Sequence, residues 1–272
     1  MPSVYLHSTK DPRDVVKLLR NIRAEKCFKP DEKILIKPNY VTDDMPYNGV
    51  TVDPLIVVGI VVYLQDHGFN NIIVAEGGIV GYDMESVFDR VGLTYALKPY
   101  GIAPVDLNSD EVVEVIIEDA TALKKVTVAK TYLEADAIIS VSKLKVHSLA
   151  SVTLCMKNMM GGLIPKNIMH NRIHEKIVDL NRRFRPRLSI IDGVIGNQFH
   201  ETECCPVASH IIIGGTDVVA VDTVGAYLLN RKPTEVEYLM RANTAGLGEC
   251  RMEKITIVGG NAKELRRHYD KY

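Results

Sequence analysis

The chain has 272 residues, 46% of them hydrophobic and 25% charged, a balance that suits a globular protein of one large or two small domains and excludes a long disordered tail. Its 33 Lys and Arg stand against 34 Asp and Glu, a formal charge of -1. No bulk positive field therefore exists to hold nucleic acid or an anionic membrane, and only a local basic patch stays open. The longest apolar stretch, Leu55 to Leu64, falls far short of the roughly 20 residues that span a bilayer. Charges also sit where a signal peptide would be apolar, so a cytoplasmic protein with neither membrane nor nucleic-acid partner is expected.

Five cysteines, at 27, 155, 204, 205 and 250, form neither a disulfide framework nor a closely spaced metal-binding run. They read as buried or bystander thiols in a reducing compartment. With no tryptophan, an aromatic platform for single-stranded nucleic acid is disfavoured as well.

Val4 to His7 reads as a strand and Asp11 to Lys26 as an amphipathic helix. Lys33 to Lys37 is a buried strand ending at Pro38, and Asp53-Pro54 caps a helix that runs to His67 and ends on Gly68. Asn71 to Ala75 is the next strand, so residues 33 to 75 predict a parallel strand, helix, strand unit with Lys37 and Glu76 at neighbouring strand ends. Met84 to Val91 reads as a short helix. Val112 to Ile117 and Lys125 to Ala129 form an antiparallel pair, placing a small strand-rich subdomain around 93–130. Ala137 to Val141, Ser189 to Asp192, His210 to Ile213 and Lys254 to Val258 are further strands, separated by helices at 172–184, 217–229 and 234–245. The whole predicts a single α/β domain over 1–272, with a mostly parallel, mixed sheet and helices on both faces.

Ligands of such sheets gather beyond the carboxyl ends of the strands. Five predicted strand ends lead into Lys37-Pro38-Asn39, Glu76-Gly77-Gly78, Ser142 to His147, Asp192-Gly193, and Gly214-Gly215-Thr216-Asp217. Any one of these is ordinarily a turn, but together they point to a site. Ser142 to His174 is the richest segment. Lys143, Lys145, His147, Lys157, Asn158, Gly161, Gly162, Lys166, His170 and His174 occur in it without one acidic residue. Lysine supplies a point charge, histidine titrates near neutrality, and paired glycines let backbone amides approach an anion. His170 and His174 have the spacing of a two-histidine metal pair on one helix face. Lys37, Asn39, Lys145, Asn158, Gly161, Gly162, Asp192, Gly214 and Gly215 are the candidate anion- or cofactor-binding residues. Neither a dinucleotide-binding nor a P-loop glycine pattern is present, and Asp217 and Asp222 read as structural. Lys157, set among Met156, Met159 and Met160, needs an anion if it is drawn into these apolar surroundings.

Lys37-Pro38-Asn39, Thr51-Val52-Asp53-Pro54, Lys145-Val146-His147, Lys157 to Gly161, His170, Asp192-Gly193, Gly214 to Asp217 and Val221-Asp222 together resemble the family called domain of unknown function 362. Members of that family often carry an iron–sulfur segment with closely spaced cysteines. This chain departs from them in having none, so no cluster is expected within it. A more distant likeness, in the order His147, Lys157, His174, is to the nickel-pincer lactate racemases. That likeness implies a cofactor tether at Lys157, a nickel ligand at His174 and an acid/base at His147.

The expectation that follows is an enzyme acting on a small carboxylate or phosphate through a Lys/His site, racemase- or isomerase-like, with nickel or another metal as a possible cofactor. An iron–sulfur- or flavin-associated oxidoreductase and a non-catalytic cofactor- or metal-binding accessory protein are the alternatives. A homodimer is the base-rate expectation.

Overall fold

Period-two and unbroken apolar runs build the sheet of this computed structural model, which describes residues 1–79 and 81–266. The strands are β1 (Ser3–Ser8), β2 (Ile34–Pro38), β3 (Ile72–Glu76), β4 (Val105–Asp106), β5 (Val112–Ile116), β6 (Lys125–Ala129), β7 (Ala137–His147), β8 (Ser151–Thr153), β9 (Leu188–Asn197), β10 (Pro206–Val207), β11 (Ile211–Gly215) and β12 (Thr256–Val258). Ten of them form one mixed sheet in the order β12-β1-β11-β9-β7-β2-β3-β4, with β10 added on β9 and β8 on β7. The centre, from β9 through β7 and β2 to β3, is parallel. β11 runs antiparallel to both β9 and β1.

Helices α1 (Val15–Ile22), α2 (Pro54–Asp66), α3 (Met84–Arg90) and α4 (Leu93–Leu97) cover one face. α5 (Lys130–Leu133), α6 (Cys155–Asn158), α7 (Ile173–Arg183), α8 (Val218–Leu228) and α9 (Glu237–Thr244) cover the other. Alternate residues of β2 divide between the two cores, Ile34 and Ile36 facing α1–α4 and Leu35 facing α5–α9. Asp53 caps α2 by accepting from Leu55 N at 2.9 Å, with Pro54 opening the helix. Gly59 of α2 lets α1 approach closely, because a Cβ there would overlap the Val15 side chain.

The predicted strand, helix, strand unit is present, with β2 and β3 parallel. Three expectations are corrected. The first helix does not run unbroken from 11 to 26: Pro12 opens a 3-10 turn, and Arg23 in the left-handed region (φ 58°) ends α1. β7 and β9 do not stop at Val141 and Asp192 but continue to His147 and Asn197. β8 pairs with residues 145–147 and β10 with residues 196–197, which gives both extensions hydrogen-bonding partners. The region 93–130 begins with helix α4, and its strands β5 and β6, though a separate two-stranded sheet, bury Val115, Val126 and Val128 in the same core as α7 and α8.

Asp179 of α7 fastens this pair. Buried, it accepts from Thr121 N at 3.0 Å, Ala122 N at 2.6 Å and Leu123 N at 2.8 Å in the β5–β6 connection. Asp179→Ala leaves those three amides without their acceptor and is expected to lower stability by about 2–4 kcal/mol. Urea unfolding checks the magnitude, and faster amide exchange confined to 121–123 checks the cause.

Candidate functional site

Sheet order places a topological switch between β2 and β7. From β2 the chain crosses by α2 on one face to β3, whereas β7 leads by α6 and α7 on the other face to β9. The carboxyl ends of β2 and β7 therefore border a crevice, the usual position of a ligand in such sheets. Lys37, next to last in β2, lies on the face shared with Leu35. Its Nζ lies 2.8 Å from Glu76 Oε2 at the end of β3 and 3.4 Å from Asn158 Oδ1 of α6. Lys37, Glu76 and Asn158 are all buried. The other Glu76 oxygen accepts from Gly77 N at 2.8 Å. Burial lowers the Lys37 pKa, and the Glu76 charge opposes that shift.

Asn158 joins three elements. Its amide nitrogen donates to Lys37 O at 3.0 Å and Ser140 Oγ at 3.1 Å, and its oxygen accepts from Asn39 Nδ2 at 3.1 Å. Asp222 of α8 holds the start of α6, accepting from Cys155 N at 2.8 Å and Met156 N at 2.9 Å. Burial pushes Asp222 up to about 7 against these two amides. Gly161 and Gly162 serve close packing. A Cβ on Gly161 would overlap Glu76 Oε1 and Lys37 Nζ, and one on Gly162 would overlap the Tyr132 ring. Lys166 reaches the same place, bonded to Asn108 Oδ1 and within the fields of Glu76 and Lys37.

Further along β7, the buried Lys145 donates to two carbonyls, Val50 O at 2.8 Å and Glu201 O at 3.1 Å. Burial, then the charges of Lys157 and Lys143, lower its pKa to about 7. Lys157 is half-buried on α6 and has no hydrogen-bond or ion-pair partner among the described residues. Burial lowers it to about 8, with Glu201 opposing and Lys37 adding to the shift. The structure thus brings Lys37, Asn39, Lys145, His147, Lys157, Asn158 and Gly161 together at one end of the sheet.

The expectation that His147 titrates near neutrality is corrected. Its Nδ1 accepts from Leu149 N at 3.0 Å and Ala150 N at 3.2 Å, so that nitrogen carries no proton and the neutral ring holds its hydrogen on Nε2. Nε2 lies 3.4 Å from Glu201 Oε1. Burial foremost, then Lys157, keep the His147 pKa well below the usual histidine range. Glu201 is held low despite burial by hydrogen bonds from Ser148, foremost its N–H at 3.0 Å.

Other candidates lie elsewhere. Asp192 sits on the α2 face, where its carboxylate accepts from Lys143 Nζ at 2.8 Å, Asp53 N at 2.9 Å and Val194 N at 3.1 Å. Gly214 and Gly215 stand at the opposite end of the sheet, because β11 is antiparallel and Gly215 pairs with Ser189 at the start of β9. His170 and His174 do not share a helix. His170 is exposed after a 3-10 turn, Arg172 intervenes in the left-handed region (φ 55°), and His174 opens α7. His174 packs on α9, with Nε2 3.7 Å from Glu237 Oε2 and its ring stacked on Tyr238. The expected two-histidine metal pair is therefore not formed. Among the described residues no three His, Cys, Asp or Glu side chains converge as metal ligands. A nickel-pincer centre does not fit this donor set: Lys157 is available as a tether, but His174 is committed to α9 and both His147 nitrogens are engaged.

Lys143 and Lys166 belong to the acid-free segment without standing out in it, and no pattern in the sequence marks Glu201, which reaches Lys145 and His147 from the loop after β9.

The model for the family described as Domain of unknown function (DUF362) matches residues 34–227. The chain belongs to this family. The DUF362 match spans every residue of the Lys37, Asn158 and Lys157 cluster. A thylakoid-associated protein of Synechocystis sp. is 23% identical over 248 residues, covering 87% of this chain and 75% of that protein. Among solved structures, the lactate racemase apoprotein of Thermoanaerobacterium thermosaccharolyticum is similar with a TM-score of 0.49 at 11% identity, over 84% of this chain and 57% of that one. A protein from Thermotoga maritima is similar with a TM-score of 0.40 at 11% identity, over 87% of this chain and 58% of that one. Among the described residues no helix is long and apolar enough to cross a membrane.

Gly161→Ala forces a methyl group into the Lys37–Glu76 pair and is expected to cost about 1–3 kcal/mol. Chemical denaturation tests this, and an unchanged midpoint would mean that the pair yields without strain.

Proposed function

We propose that this protein is an enzyme acting on a small carboxylate- or phosphate-bearing molecule, held by Lys145 and Lys157 at the carboxyl ends of β2 and β7. One observation supports the reading: among the described residues Lys157 has no hydrogen-bond or ion-pair partner, and the ammonium whose field it shares, Lys145, is met only by carbonyls. Two positive charges this close in buried surroundings oppose each other unless an anion joins them. A bound carboxylate or phosphate supplies that charge and gains charge-assisted hydrogen bonds in return.

Lys157, at about 8, is also poised for proton transfer, because a group whose pKa lies near working pH exists in both forms. The bound anion raises the Lys145 pKa and keeps it charged as the anchor. The anion raises Lys157 as well, so proton exchange runs through its minor neutral form, which takes a proton from the carbon next to the carboxylate and returns it, the chemistry of a racemase or isomerase. His147, neutral and tied to Leu149, Ala150 and Glu201, positions the wall of the site.

Calorimetric titration with lactate, a carboxylate ionised throughout the neutral range, tests the binding. Lys157→Met keeps length and removes charge, and is expected to weaken binding about 10- to 100-fold with the circular dichroism unchanged. Parental affinity in this variant, or its unfolding, would assign Lys157 to structure.

The pH dependence has a definite sign. The anion raises both lysine pKa values, so binding takes up protons and affinity is flat below about 7. It then falls as pH rises through about 8. The free protein behaves oppositely. Lys145 is protonated in the unfolded chain up to the ordinary lysine range but only below about 7 when folded. Stability therefore rises with pH across that window, and saturating lactate flattens the rise. Urea midpoints across pH, with and without lactate, read both slopes.

A further inference from the structure

On the α2 face of the same sheet end lies a cavity of about 370 Å³ whose residues the anion site does not use. Tyr47, Leu55, Ala96, Val194 and Ile195 contribute apolar wall, while Lys143, Asp192 and Asp53 bring charge to it. Two carboxylates meet one ammonium here. Asp192 is satisfied by Lys143 Nζ, Asp53 N and Val194 N. Asp53 is not: Oδ1 accepts from Leu55 N at 2.9 Å, and Oδ2 accepts no hydrogen bond among the described residues. Lys143 is already committed to Asp192 at 2.8 Å, so the Asp53 charge is left without an ion-pair partner in a half-buried position. Behind the lining, the buried Tyr40 hydroxyl has no hydrogen-bond partner among the described residues, and it lies within the fields of Asp53 and Asp192.

We propose that this cavity binds a small organic ammonium with an apolar body, its N–H groups directed at Asp53 and its hydrocarbon against Leu55, Ala96, Val194 and Ile195. The volume falls within the range of small-molecule sites, and apolar walls with a few convergent polar groups are the usual composition of one. Charge selects the class of ligand: a carboxylate here would face two carboxylates across one already paired ammonium. A neutral alcohol would leave the Asp53 charge unpaired.

Titration of the full chain with n-butylammonium, followed by the methyl resonances of Leu55, Val194 and Ile195, tests the assignment. Butylammonium is expected to shift these methyls saturably, with n-butanol at least tenfold weaker and butyrate without effect on them. Asp53→Asn keeps the side-chain oxygen that caps α2, since asparagine caps as well as aspartate, and is expected to weaken butylammonium binding at least tenfold. Ala96→Leu, which fills the wall and leaves the charge in place, is expected to do the same. Lys157→Met, on the other face, is expected to bind butylammonium as the parent does, so loss of the anion site and loss of this one are separately visible. Shifts confined to other methyls, equal binding of butyrate, or parental affinity in both Asp53→Asn and Ala96→Leu would each overturn the proposal.

Discussion

An ammonium buried at the end of a central strand obliges the fold around it to close. Lys37 is fully buried, and removing one partner of such a pair ordinarily costs about 3–5 kcal/mol. β3 must therefore end where Glu76 meets it, α6 must present Asn158 to it, and residue 161 must lack a side chain so that α6 and the turn after it can lie against the pair. Asp222 meets the last demand from a distance. By fixing the first amides of α6 to α8, it sets the height at which Asn158 and Lys157 stand over the sheet.

The same region shows where the sequence departs from what stability alone would select. Lys37 and Lys143 have carboxylate partners, whereas Lys145 has carbonyls, Lys166 an amide oxygen and Lys157 no partner among the described residues. β7 and β9 lose register here, Lys143 pairing with Asp192 but Lys145 with Asn197. Irregularities of this kind re-aim side chains beside functional sites. Local rules broken together at one place, on an otherwise consistent scaffold, mark function more reliably than any single residue does.

Much of the fold was legible in the sequence. The Asp53-Pro54 cap, the apolar run of β2 and the spacing to β3 specified a parallel unit that the structure contains. The extensions of β7 and β9 were not, because lysines and glycines inside a strand resemble a turn unless the partners supplied by β8 and β10 are known. Site residues followed the same division. Lys145, Lys157 and Asn158 could be chosen by composition, since no acid lies near them in sequence. His170 and His174 looked alike in spacing, but a left-handed Arg172 broke the helix that would have paired them. Gly214 and Gly215 resembled the other strand ends until the direction of β11 moved them to the far edge.

Alternation along β7 has an electrostatic consequence. Leu144 and Val146 point into the core beneath α6–α9, whereas Lys143 between them and the start of the strand turns to Asp192 and the α2 face. By the same alternation Lys145 leaves that core face together with Lys143, and its ammonium reaches the loop carbonyls Val50 O and Glu201 O beyond the strand end. Surplus positive charge gathers at Lys145 and Lys157, and a surplus carboxylate remains at Asp53. Lys143, which lines the Asp53 cavity, lowers the Lys145 pKa, so Lys145 and that cavity's charges are within each other's field. An anion at the proposed lysine site and an ammonium at the proposed Asp53 site would then reinforce each other, and by linkage the reinforcement would be equal in both directions. In the low-dielectric interior such coupling survives salt better than surface charge pairing does.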